Sequence, residues 1–146
     1  MLRDPSLIPL SHQHHNALAM CVLVRRSLAG DSSAGNVALQ ARRILDRFEL
    51  EILNHFELEE QLLFPACRPL PLIDELVADH RALEALAREL RSEPTAALLE
   101  QFCARISSHI RREESDLFEQ AQRALPRDLL DRLGREIDQR AVRICL

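Results

Sequence analysis

Two segments of the chain carry a histidine followed four residues later by a glutamate, His55 with Glu59 and His109 with Glu113. On a helix, residues four apart lie about 6 Å apart along the axis and are rotated by only about 40°, so each pair can present an imidazole nitrogen and a carboxylate to one space. Imidazole with carboxylate suits iron, and manganese or zinc also accept that donor set. The two segments repeat each other: Phe-x3-Ile-x2-His-x3-Glu-Glu-x3-Phe fits Phe48 to Phe64 and again Phe102 to Phe118. With His14 and His80 the inventory becomes four imidazoles and two carboxylates, too many for one tetrahedral zinc. Two ions about 3.5–4 Å apart, bridged by both carboxylates, would use all six side chains and leave positions open for solvent or a small ligand.

Positioning six such side chains requires helices. Turn-forming residues from Gly30 to Gly35, Pro65 to Pro71 and Ser92 to Thr95 separate periodic segments, which predicts long helices near 11–29, 37–64, 72–91 and 95–124 and a shorter one from Pro126 to Arg140. Ser11 and Thr95 are the expected N-caps, and Pro126 suits a helix start. Connections this short favour antiparallel neighbours, hence an all-α, up-down-up-down four-helix bundle with the fifth helix across one end or edge.

Tracing the apolar stripe of each helix shows what interrupts it. The stripes run Leu10, His14, Ala17, Cys21, Val24, Leu28; then Ala41, Ile44, Phe48, Ile52, His55, Glu59, Leu62; then Ile73, Leu76, His80, Leu83, Ala87, Leu90; and Leu99, Phe102, Ile106, His109, Glu113, Leu117, Ala121. Each aims one histidine inward, and two aim a glutamate as well. An ionised carboxylate in such a core is expensive unless it meets a cation, and the stripes supply no basic side chain. A lone core histidine is ordinarily a hydrogen-bonded side chain, but the joint pattern points to metal. His15 would put Ser11, Leu18, Val22 and Arg25 on its stripe, a poorer core face than that of His14. Glu84, one turn after His80, reads as a further ligand, an imidazole partner or a solvated glutamate. Glu60 and Glu114 read as surface charges, because adjacent helix positions diverge by about 100°.

The composition agrees with a bundle and narrows the function. With 146 residues, 3 glycines and 3% aromatics, the chain fits a single domain, 1–146, built from helix formers. A net charge of -4 with dispersed basic residues excludes a nucleic-acid partner of the phosphate-neutralising kind. Met1 to Pro5 lacks a signal-peptide core and no stretch is long enough to span a membrane, so a cytoplasmic location is expected. The absence of Trp and Tyr disfavours long-range radical transfer. Cys21, Cys67, Cys103 and Cys145 form no CxxC pair and are expected to be reduced; Cys21 reads as core packing, and Cys67 and Cys145 as thiols that could respond to redox state.

His14, His55-x3-Glu59, His80 and His109-x3-Glu113, each on its own segment, resemble the hemerythrin-like (HHE cation-binding) family over nearly the whole chain. The resemblance implies a non-haem centre of two iron ions, with His14 and His55 on one iron, His80 and His109 on the other, and Glu59 and Glu113 bridging. It implies binding of O2 or NO for sensing, storage or stress protection. A di-iron oxidoreductase (peroxidase or NO/O2 reductase) and an iron-handling protein for iron-sulfur cluster repair are the alternatives. Oxygen-carrying hemerythrins place another histidine one turn before the third-helix ligand, where this chain has Leu76. Fewer protein ligands leave more open coordination and favour sensing or turnover over reversible carriage. A ferritin-like di-iron bundle would use Glu-x2-His pairs, and no histidine here has a glutamate three residues before it.

Overall fold

The computed structural model describes residues 2–144, and among these the chain is all helical. Helix α1 is Ile8–Gly30. Helix α2 runs over 34–67, α3 is Leu72–Ser92, α4 runs over 96–124, and α5 is Arg127–Arg140. The four long helices pack in ring order as the bundle, and α5 lies beside the chain's first turn.

Side-chain caps open two of the helices, α2 and α4. Ser33 Oγ accepts from the Asn36 N–H at 3.3 Å to open α2, and Thr95 Oγ1 accepts from the Leu98 N–H at 3.1 Å to open α4, as expected. Ser11 is not an N-cap. The chain turns earlier, where Asp4 accepts from the Ser6 N–H at 3.0 Å and a 3-10 turn, Pro5–Leu7, leads directly into α1. Ser11 therefore lies inside the helix. Pro126 immediately precedes α5 in an extended conformation.

The principal departure from regular helix is three π turns: Phe48–Ile52 and Glu59–Leu63 within α2, and Glu113–Leu117 within α4. In each, the first carbonyl accepts from the N–H five residues on: Phe48 from Leu53, Glu59 from Phe64, and Glu113 from Phe118. A π turn inserts one residue into the helical register. Beyond Glu59 the core face of α2 consequently passes to Leu63, Phe64 and Cys67, and Leu62 of the expected stripe is only half-buried.

Two apolar clusters fill the bundle. One joins Val24, Ile44, Phe48, Leu83, Leu99 and Phe102; the other joins Leu10, Leu58, Leu63, Ile73, Leu76 and Leu117. Between them lies a layer of buried His and Glu side chains. The first turn and α5 close one end, where a Cβ on Gly134 would stand 2.7 Å from Ser6 Cα. The tail after α5 crosses α1 and α2: Gln13 Nε2 donates to the Val142 carbonyl at 3.1 Å, and the Val142 N–H donates to Asn54 Oδ1 at 2.9 Å.

Candidate metal centre

The six residues singled out by their spacing lie together in the buried layer. Candidate donor atoms of His14, His55, Glu59 and Glu113 fall within 4.8 Å of one another, and so do those of Glu59, His80, His109 and Glu113. The two groups share both glutamates. His14 enters the buried layer, whereas His15 is exposed. Glu84 joins neither group and pairs with Arg81.

All four imidazoles turn Nε2 inward. Glu59 Oε1 lies 3.2 Å from His55 and 3.1 Å from His80, while Glu113 Oε1 lies 3.0 Å from His14 and 3.1 Å from His109. Each carboxylate thus touches one histidine of each group, the arrangement a bridging ligand needs. His55 Nε2, His109 Nε2, Glu59 Oε2 and Glu113 Oε2 are buried with no hydrogen-bond partner among the described residues. Such orphaned atoms are costly in a protein interior, and divalent cations would satisfy them together. The donor set therefore fits a pair of metal ions.

The outward nitrogens are all held. His14 Nδ1 lies 2.6 Å from Glu114, His80 Nδ1 2.7 Å from Glu60, His55 Nδ1 2.9 Å from Gln13 Oε1, and His109 Nδ1 3.0 Å from Asp79. Partners of this kind fix the ring orientation and the tautomer of a ligating histidine. Glu60 and Glu114 are consequently not free surface charges, contrary to expectation. Both lie in π turns, where the chain winds less per residue than in an α-helix, so the paired glutamates diverge less than 100°. Spacing alone does not point to Gln13 or Asp79. The available signal was that each directly precedes a stripe histidine.

Phe56 stacks on His80 with ring centroids 3.9 Å apart, and Phe118 on His14 at 5.4 Å. Burial, reinforced by the Glu113 charge, pushes the Glu59 carboxyl well above its ordinary range. Against the same burial penalty, the nearby His109 charge and the His14 hydrogen bond hold Glu113 well below it. Burial lowers His80 to about 2, leaving a neutral imidazole. Burial opposes protonation of His109 too, but Glu113 and Asp79 outweigh it and push this imidazole up to about 10.

Of the cysteines, Cys21, Cys67 and Cys103 are free thiols, and Cys145 lies outside the described residues. Cys21 packs in the core against Cys103, and burial pushes Cys67 up to about 11, so it is a poor thiolate. No helix among the described residues is long and apolar enough to cross a membrane.

Fold and site together define a helical-bundle protein with buried His/Glu groups suited to a dinuclear metal site. The match to the family described as Hemerythrin HHE cation binding domain covers residues 9–121, and the chain belongs to that family. No curated protein and no solved structure matches it significantly.

Proposed function

We propose that the chain holds two metal ions, with iron foremost, and that this centre binds O2 or NO for sensing, storage or stress protection. His14 and His55 would hold one ion, His80 and His109 the other, and Glu59 and Glu113 would bridge them. The observation carrying this reading is the convergence of four inward Nε2 atoms on two carboxylates whose second oxygens are orphaned. An iron pair would supply the electrons that bind or reduce a diatomic ligand.

The chain's own residues do the rest. Glu60, Glu114, Gln13 and Asp79 orient the imidazoles through Nδ1. Phe56, Phe64 and Phe118 pack against the rings and exclude bulk water. Leu76, fully buried one turn before His80, contributes no donor, which supports the second reading of an oxidoreductase acting on peroxide, NO or O2.

Metal analysis of protein purified without added metal should find about two irons per chain, and the reduced protein should change its visible spectrum with O2 or NO. A reduced, metal-loaded protein inert to both gases would remove the ligand-binding role.

A further inference from the structure

Glu51 is a buried carboxylate that belongs to neither His/Glu group, although it stands one turn before His55 and is only 1% exposed. Its Oε2 accepts from Asn16 Nδ2 at 2.8 Å. Its Oε1 has no hydrogen-bond partner among the described residues, and the nearest cation, Arg47 Nη1, is 3.7 Å away and equally without one. Asn16 Nδ2 also donates to the Ile144 carbonyl at 3.3 Å, which fixes the amide against the carboxylate.

The same side chain lines an enclosed cavity of about 10 Å³, room for one water-sized molecule, walled also by His14, His55, His109 and Ile106. Gln13, the other polar residue there, is already committed to His55, Asn54 and Val142. Glu51 is therefore the one wall residue with an unspent hydrogen-bonding atom that is not a candidate metal donor.

An ionised carboxylate accepts hydrogen bonds and donates none. A ligand bearing an O–H group can satisfy it with a charge-assisted bond, whereas O2 and NO bring no hydrogen to donate. We infer that Glu51 is a specificity-determining residue that biases the cavity beside His14 and His55 toward hydrogen peroxide relative to NO. This rests on the two-metal reading above.

The test uses the full iron-loaded chain with two probes, NO titrated into the reduced protein and hydrogen peroxide into the oxidised protein, each followed as an optical saturation curve. The Arg47→Leu/Glu51→Leu double variant removes the charge pair together, and Glu51→Gln keeps the shape if the double variant folds poorly. The ratio of peroxide to NO affinity should fall about tenfold in the double variant and a few-fold in Glu51→Gln, the loss expected for a charge-assisted hydrogen bond. An unchanged ratio with an intact NO response overturns the role of Glu51 alone. Two bound metals with no response to either probe overturn the ligand-binding function and this inference with it.

Discussion

The Asp79 carboxylate lies 3.0 Å from Nδ1 of His109, in the place where the other half of the site sets the neutral Gln13 amide 2.9 Å from His55. Elsewhere the halves correspond: His14 matches His80, Glu113 matches Glu59, and Glu114 matches Glu60. Arg112 also donates to Asp79, and with His109 it holds that carboxyl below its ordinary range despite burial. A carboxylate behind an imidazole makes it a stronger donor than an amide does, so the two ions should not be held equally.

Asp79→Asn should therefore weaken metal binding at the His80/His109 half by about 10–100-fold while the bundle stays folded. Competitive chelator titration would resolve a tight and a weak step in the wild type and two weak steps in the variant. Two unchanged steps would show that Asp79 does not tune the ligand.

Stripping the metals should lower the unfolding temperature, because the divalent charges that offset the burial of Glu59 and Glu113 are lost. Glu59→Gln removes the ionisable group that burial disfavours most. The metal-free variant is expected to match or exceed the metal-free wild type by up to about 2 kcal/mol, and to lose metal stoichiometry. Denaturant unfolding of both chains in chelator checks the sign.

Metal uptake should release protons, because burial raises the Glu59 carboxyl well above its ordinary range and His109 stands near 10 in the metal-free site, so loading must displace protons from these groups. Calorimetry in buffers of different ionisation enthalpy measures the number released. For the metal-free fold the sign is also set: the His109 value is raised above 6.5, so its contribution is complete below pH 6.5 and is lost as pH rises through about 10. Unfolding of metal-free protein at pH 6, 8 and 10 should show that decline.

Gly134→Ala gains helix propensity but sets a Cβ 2.6 Å from Ser6 Oγ and 2.7 Å from Ser6 Cα. Backbone cannot yield as a flexible side chain can, so a net loss of about 1–3 kcal/mol is expected. Thermal unfolding gives the answer, and faster amide exchange in the first turn would locate the effect.

Much of this was legible before any coordinates. A stripe at spacings of three and four reports which side chains share one face of one helix, and an acidic or imidazole interruption of that stripe stands out against Ile, Leu and Phe. The six His and Glu residues, the long helices, the Thr95 cap and the family resemblance all follow from such within-helix order. The Ser11 cap failed because Asp4 and Pro5 open the helical path one turn earlier, and Leu62 failed because a π turn changes register without a distinctive residue to announce it.

What the sequence by itself determined, then, is which residues each helix turns toward the centre. Only the tertiary structure decided which side chains meet between helices: Asp79 with His109, Gln13 with His55, Glu114 with His14, and the unsatisfied Glu51 beside the cavity. The reason is geometric. Helical periodicity fixes angles about one axis, whereas a hydrogen bond across the bundle depends on the relative rotation and rise of two axes, set by packing of the whole core.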